Sequence, residues 1–242
     1  MSLLRQFSFL ALPIALISPL AGQQGDRKGH NMASFVPEDV IPPAPFLKVE
    51  DALKSFQLAP GFVIEEVVSE PLVDMPCMLK FDGNGQMWIC ELVGYMPDVD
   101  GKGENIAQGR IVILTDSDDD GRVDKRSIFL EKLLLPRSLY LLDDGILWAN
   151  QESLFFQGRD GNKPVGKRVL VDKDYARGGN VEHKANSLVL GLDNWIYNAK
   201  SDRRYKRTKK GWVMEKTHFR GQWGIDRDDY GRLFHNSNST LL

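Results

Sequence analysis

Residues 188–198 of the chain read LVLGLDNWIYN, and the form of this segment recurs. It begins with an apolar strand, turns at an aspartate and continues as a second strand that carries an aromatic residue. Three further segments share this form: LKFDGNGQMWI (79–89), LYLLDDGILWA (139–149) and WGIDRDDYGRLFH (223–235). Because Asp and Gly favour tight turns and aromatic residues favour strands, each segment predicts a β-hairpin.

The spacing of these hairpins predicts the fold class. Their aromatic positions lie 37 to 60 residues apart, in the range of one four-stranded propeller blade per repeat. We therefore predict an all-β chain that forms a β-propeller of about four blades, incomplete here; the pattern alone also fits a sandwich of short strands. Further strands are predicted at GFVIEEVV (61–68), GRIVILT (109–115), SLFFQ (153–157), RVLV (168–171) and GWVME (211–215).

The N-terminal residues predict an exported protein. Residues 1–22 contain one early positive charge, Arg5, followed by an apolar run without charges, which is typical of a secretory signal peptide. An uncleaved N-terminal anchor is the alternative. Residues 23–46 are polar and then Pro-rich, which predicts a linker, and residues 47–242 remain for the propeller, with a short helix near 49–56. We expect a periplasmic or cell-envelope location, where disulfides can form.

Composition and motifs exclude several functions. The 31 Lys and Arg residues nearly balance the 33 Asp and Glu residues, so nucleic acid is not an expected partner. The chain has no nucleophile elbow, phosphate-binding loop, zinc motif or CxxCH haem attachment site. The basic run RRYKRTKK (203–210) predicts a solvated hairpin tip, with contact to an anionic polysaccharide or a membrane as the alternative.

Cys77 and Cys90 flank the first predicted hairpin. If Phe81 and Gln86 form the last pair before the turn, residue 79 faces residue 88 and Cys77 faces Cys90. This register allows either a cross-strand disulfide or two buried thiols.

The acidic run DSDDDGRVD (116–124) predicts a calcium loop between two strands. Ca²⁺ takes six to eight oxygen ligands, and alternate carboxylates around a Gly turn converge on one point. The loop lacks the glutamate of a helix-flanked calcium loop at position 12, where Ser127 stands, so we expect a structural role. A solvated acidic turn is the alternative. The predicted ligands are Asp116, Asp118, Asp120, Asp124 and the carbonyl oxygen of Arg122.

Two further side chains precede predicted inner strands, where propellers place residues near the central channel. A neutral imidazole at His183 can act as a general base near working pH, and a His that caps a turn is the alternative. A guanidinium at Arg220 suits carboxylate or quinone oxygens, and a surface ion pair is the alternative.

Two motifs around these residues resemble a known group of enzymes. The stretch H-x4-LVLG-x-D-x-x-IY (183–197) resembles the segment that carries the catalytic His in soluble quinoprotein glucose and sorbosone dehydrogenases. RGQWG (220–224) resembles their R-N-P-Q-G, in which the Arg contacts pyrroloquinoline quinone; here Gly221 stands in place of the Asn.

A larger ordered set resembles a family of exported bacterial membrane-bound dehydrogenases. Members of that family have an N-terminal propeller, often followed by HEAT-like helices and a CxxCH cytochrome c domain. The segments that carry the resemblance are LKSFQLAPGF (53–62), SEPLV (69–73), GRIVILTDSDDDG (109–121), GLDNWIY (191–197) and RGQWGID (220–226).

The resemblance implies the N-terminal part of a six-bladed, calcium-binding, quinoprotein-like sugar or alcohol dehydrogenase, a fragment incomplete for catalysis. His183 would take the proton from a sugar hydroxyl, and Arg220 would stabilise the oxygens of reduced pyrroloquinoline quinone. A cytochrome c domain, downstream or in trans, is the implied electron partner. The rival hypothesis is a non-catalytic propeller that binds a glycan or a partner protein. A propeller lactonase would need a channel set of Glu, Asn and Asp that the sequence does not place.

Overall fold

The computed structural model describes residue 40, residues 45–98 and residues 101–237. The predicted signal peptide lies outside these residues, as does nearly all of the predicted linker. The predicted short helix is present as α1 (Val49–Ser55). Among the described residues, no helix has the length and apolar character needed to cross a membrane.

In the part of the chain that the structure describes, fourteen strands follow in chain order and form four antiparallel sheets, each built from consecutive strands. Blade 1 contains β1 (Pro76–Phe81), β2 (Met87–Glu91), β3 (Gly109–Thr115) and β4 (Lys125–Leu133). Blade 2 contains β5 (Leu139–Leu142), β6 (Gly145–Asn150), β7 (Ser153–Asp160) and β8 (Lys163–Asp172). Blade 3 contains β9 (Asn186–Leu190), β10 (Ile196–Ala199), β11 (Ser201–Thr208) and β12 (Gly211–Arg220). Partial blade 4 contains β13 (Ile225–Arg227) and β14 (Leu233–His235).

The blades are arranged radially. The first strands of successive blades contact one another, β1 with β5, β5 with β9 and β9 with β13, so they surround a common axis. The core lies between neighbouring blades: Trp88 and Trp148 share one buried cluster, and Leu147 shares the next with Tyr205. The chain is therefore a partial β-propeller, and the prediction of an all-β propeller is confirmed.

The predicted aspartate turns form the inner hairpins. In the turn between β9 and β10, the backbone N–H of Trp195 donates to Asp193 at 3.2 Å. In the turn between β13 and β14, the N–H groups of Tyr230 and Arg232 donate to Asp228 at 3.0 and 2.8 Å. An Asp side chain that accepts from the backbone two residues ahead favours a turn over a continued strand, which is why these residues end the first strand of a blade.

The predicted register of the first hairpin is wrong by one residue. Phe81 pairs with Met87, and Met78 instead of Cys77 pairs with Cys90. The loop contains five residues, 82–86, because Asp82 and Gln86 belong to the turn. A bulge between Pro76 and Met78 displaces Cys77 further, and both thiols are free.

Two other predictions of local structure are corrected. Residues 61–68 are not a strand, and within the described ranges their backbone is joined to a blade by the N–H of Val123, which donates to Val67 at 2.9 Å. The basic run is not a hairpin tip: residues 203–208 belong to β11, and Lys209 and Lys210 alone form the turn. β11 forms there because Tyr205 points into the core between blades 2 and 3.

The connections between strands divide the propeller into two faces. Because neighbouring strands are antiparallel, successive connections lie at opposite ends of a blade. We call the upper face the end that carries the connections from second to third strands and from one blade to the next. The lower face carries the inner hairpin turns and the turns from third to fourth strands. His183, between β8 and β9, lies on the upper face, and the 116–124 loop, between β3 and β4, lies on the lower face.

Candidate functional site

A polar cleft of about 380 Å³ opens on the upper face. One side is formed by the connection between β8 and β9, and the other by the turn between β10 and β11 together with the end of β12. Clefts of this size hold a small ligand such as a monosaccharide. The residues that line it include His183, Lys184, Lys200, Asp202, Arg203 and Phe219.

His183 is the last residue of a short 3₁₀ helix, Val181–His183, and lines the cleft. Its side chain is 37% exposed, and its Nε2 lies 3.8 Å from the carboxylate of Glu182. Glu182 also accepts a hydrogen bond at 2.8 Å from the hydroxyl of Tyr95, which belongs to the long connection between β2 and β3. The burial and hydrogen bond of Tyr95 raise the pKa of its phenol to about 12, so it remains a donor at neutral pH.

The next residue fixes the segment that carries His183. Lys184 is 8% exposed, and its ammonium donates to Glu152 at 3.2 Å. Glu152 also accepts from the backbone N–H of Gly178 at 3.3 Å, and this bond is the largest cause that lowers the pKa of its carboxyl group. These contacts join the connection between β8 and β9 to the turn between β6 and β7 of the preceding blade.

Arg220 follows the cleft residue Phe219 in the chain, but its guanidinium does not line the cleft. The side chain is 5% exposed and donates to the carbonyl oxygens of Asn198 at 3.2 Å, His218 at 2.7 Å and Arg203. Burial lowers its pKa. The guanidinium therefore joins the ends of β10, β11 and β12 and is already occupied by protein acceptors.

The backbone explains why glycine stands at position 221, where the quinoprotein pattern has Asn. Its φ is +55°, and a Cβ atom placed on it would lie 2.6 Å from the carbonyl oxygen of Asn236. An Asn side chain does not fit here without movement of the backbone, so this turn requires a glycine.

Lys200 and Phe219 are cleft residues that the sequence did not indicate. Lys200 lies in the turn between β10 and β11 with φ +52°, and its ammonium donates to the side-chain oxygen of Gln222 at 2.7 Å. The same ammonium lies 5.8 Å from the ring centroid of Phe219, which is 59% exposed. The left-handed backbone of Lys200 is not visible in the sequence. The position of Lys200 between two predicted strands was the signal that could have pointed to the cleft.

The acidic loop on the lower face brings three of its predicted ligands together. Oxygens of Asp116, Asp118 and Asp120 lie within 4.8 Å of one another. The charge of Asp120 is the largest cause that raises the pKa of Asp118. Asp124 is not part of this group; its carboxylate accepts from the N–H and the hydroxyl of Ser117 at 2.9 and 2.5 Å. The group is at the opposite end of the blades from His183.

Fold and cleft define a propeller domain with a polar cleft on one face. The chain belongs to a family described as "Domain of unknown function (DUF7133)", whose model matches residues 48–242. A search of curated proteins finds no match.

Several solved structures are similar to the chain. The pyranose dehydrogenase PQQ domain from Coprinopsis cinerea is 12% identical with a TM-score of 0.49, over 73% of this chain and 46% of that one. The calcium-binding protein regucalcin from Agrobacterium tumefaciens is 16% identical with a TM-score of 0.43, over 61% and 46%. A streptogramin B lyase is 13% identical with a TM-score of 0.37, over 70% and 64%. The matched part of this chain spans about half the length of the first two.

Proposed function

We propose that this propeller is part of a periplasmic or cell-envelope quinoprotein-like dehydrogenase that oxidises a sugar or an alcohol in the upper-face cleft. The observation that carries the proposal is the position of His183, which lines a cleft of about 380 Å³. Among the described residues, its imidazole has no partner nearer than Glu182 at 3.8 Å. An imidazole so placed is available for a ligand hydroxyl.

His183 accounts for the proton of the reaction. Oxidation of an alcohol removes a proton from oxygen and a hydride from carbon. The imidazole of His183 would accept the proton as the carbonyl forms, and the hydride would pass to pyrroloquinoline quinone, which is thereby reduced. The carboxylate of Glu182 stabilises the resulting imidazolium, and the hydroxyl of Tyr95 holds that carboxylate in place at 2.8 Å. Asp202 and Lys200 line the same cleft and supply an acceptor and a donor for neighbouring hydroxyl groups of the ligand.

Arg220, the residue that the sequence assigned to the implied cofactor pyrroloquinoline quinone, does not fit that role. The guanidinium of Arg220 is buried and donates to three carbonyl oxygens, so it is not presented to a quinone in the cleft. In this proposal other residues hold the quinone, in parts of the protein beyond this chain, and Arg220 shapes the turn on which Lys200 stands.

The buried position of the Arg220 guanidinium also favours the second candidate, a non-catalytic propeller that binds a glycan or a partner protein. A cleft with polar side chains, an exposed aromatic ring and no presented quinone contact suits saccharide binding without chemistry. Cofactor binding separates the two candidates.

The decisive experiment uses the complete protein with pyrroloquinoline quinone, Ca²⁺ and an artificial electron acceptor, on a panel of aldoses and alcohols. We expect dye reduction that falls at least about 100-fold in His183→Ala, because removal of a general base costs that much. His218→Ala is the matched control, since His218 is exposed on β12 and does not line the cleft. No dye reduction with any substrate, or equal activity in His183→Ala, overturns the proposal; glycan binding without quinone binding selects the second candidate.

We further propose that Ca²⁺ binds on the lower face to Asp116, Asp118 and Asp120. Three converging carboxylates supply the hard oxygen ligands that Ca²⁺ prefers. Because this loop is at the opposite end of the blades from His183, bound Ca²⁺ would stabilise blade 1 and take no part in proton transfer.

A further inference from the structure

We infer that the upper-face cleft selects an acidic saccharide, whose carboxylate pairs with Lys200 and whose ring packs on Phe219. This inference rests on the proposed ligand site and names its substrate class. It begins from the charges of the cleft, which are almost all neutralised by the protein.

Three of the four basic side chains that line the cleft already have carboxylate partners. Arg177 lies 3.6 Å from Asp174, and Lys184 lies 3.2 Å from Glu152. Arg203 pairs in the same way with Asp172 at 2.5 Å.

The remaining basic residue, Lys200, has no carboxylate within 4.0 Å among the described residues; its hydrogen-bond partner is the neutral amide oxygen of Gln222. Asp202, the acidic neighbour in the turn, is paired with Lys216 at 3.5 Å. Lys200 is therefore the unneutralised charge of the cleft.

The position of Lys200 is fixed by the backbone. Its N–H donates to the carbonyl oxygen of Arg220 at 2.6 Å, while the guanidinium of Arg220 holds the carbonyls of neighbouring strands. The backbone of Lys200 is left-handed, with a φ of +52°, as is that of Gln151 in the equivalent turn of blade 2. An ammonium has three donors, and Gln222 uses one of them, so two remain for a carboxylate.

Phe219 supplies the second contact. Its ring is 59% exposed and forms part of the cleft wall beside the ammonium of Lys200. A pyranose presents a face of C–H groups that packs on an aromatic ring, and a carboxylate on that sugar lies within reach of a neighbouring cation. A neutral sugar would use the ring alone, and a simple anion would use the ammonium alone.

The test is calorimetric titration of the chain with sodium glucuronate, glucose and sodium acetate, without quinone. We expect glucuronate to bind at least about tenfold more tightly than either of the others, and added salt to weaken its binding. Lys200→Asn should remove the preference for glucuronate over glucose, and Asn tolerates the left-handed backbone of this turn. Lys163→Gln, at the lower-face start of β8, should leave the preference unchanged. Phe219→Leu should weaken both sugars by similar factors.

Several outcomes overturn the inference. These are equal binding of glucuronate and glucose, acetate binding as tight as glucuronate, and a preference that survives in Lys200→Asn with an unchanged melting temperature. The inference and the proposed function fail separately. Selective glucuronate binding without dye reduction removes the dehydrogenase proposal alone, whereas oxidation of neutral aldoses that is unaffected by Lys200→Asn removes this inference alone.

Discussion

The indole Nε1 of Trp88 donates a hydrogen bond to the carboxylate of Asp82 at 3.1 Å. The other oxygen of this carboxylate accepts from the backbone N–H groups of Asn84 and Gln86 at 2.9 and 3.1 Å. Trp88 is fully buried and packs edge-on against Phe129, with 4.9 Å between ring centroids. The Asp82 side chain therefore shapes the inner turn of blade 1. It also satisfies the indole N–H of Trp88, the main core residue of that blade.

We expect Asp82→Ala to lower the free energy of unfolding by about 2 to 4 kcal/mol, because it removes three hydrogen bonds and leaves a buried indole N–H without a partner. Urea denaturation followed by tryptophan fluorescence measures the loss. Asp143→Ala is the control, since the Asp143 side chain has no hydrogen-bond partner among the described residues, and it should change stability by less than about 0.5 kcal/mol. Similar losses in the two variants would contradict the role given to Asp82.

Arg220 makes a second prediction about stability. Arg220→Met leaves three carbonyl oxygens without their donor, so we expect a loss of about 3 kcal/mol or more, measured by the same denaturation. Arg220→Lys should recover less than half of it, because one ammonium cannot match the fork of a guanidinium. The exposed Arg232→Met is the control, with a loss below about 1 kcal/mol. A stable Arg220→Met would instead return Arg220 to a role in ligand contact.

The sequence was sufficient to predict the hairpins because their turns are local. Asp193 and Asp228 accept hydrogen bonds from residues two to four positions ahead, so the turn chemistry is contained in the segment that was compared. The radial order of blades follows from repetition of that unit. The one-residue error at Phe81 arose because the Asp82 side chain draws Gln86 into the turn, and this choice depends on side-chain geometry as well as residue type.

Long-range charge pairing was not predictable in the same way. Residues 203–208 are basic enough to suggest a solvated tip, yet they lie in β11, where Arg203 pairs with Asp172 and Arg207 with Asp144, 31 and 63 residues away. The same limit applies to the candidate site. Whether Arg220 faces a ligand or the backbone, and whether Lys200 is neutralised, depends on partners that only the folded chain brings together.

The two thiols make a third prediction. Burial raises the pKa of Cys77 to about 12 and raises that of Cys90 above its ordinary value, so both remain protonated at neutral pH. We expect an aromatic disulfide reagent to modify them at least about 100-fold more slowly in the folded chain than in urea at pH 8. A chain that releases no thiol signal in urea without reductant would instead contain the disulfide.

The same shift gives a pH dependence. A folded-state pKa raised above the unfolded value means that the contribution of Cys77 is complete below about pH 9 and is lost as the pH rises towards 12. Cys77→Ala should therefore lose less stability than the parent chain between pH 9 and pH 11, measured by urea denaturation at each pH. Parallel curves for the two proteins would show that Cys77 does not contribute.

The acidic loop makes the last prediction, in which the effect of a mutation on stability changes sign when Ca²⁺ is added. The carboxylate of Asp118 is repelled most strongly by Asp120, and its pKa is raised from the ordinary value of 3.8. Its ionisation therefore destabilises the folded chain as the pH rises through the folded-state pKa, and at pH 7 in a chelator Asp118→Asn should melt at a higher temperature than the parent chain. With Ca²⁺ added the order should reverse, because the ion neutralises the three carboxylates and needs Asp118 as a ligand.

Asp119→Asn is the matched control: Asp119 lies in the same loop, outside the group of three, with a φ of +60° that Asn tolerates. It should follow the parent chain in both conditions. A melting temperature of the parent chain that does not rise with millimolar Ca²⁺, or that rises equally in Asp118→Asn, would show that the loop is a solvated acidic turn.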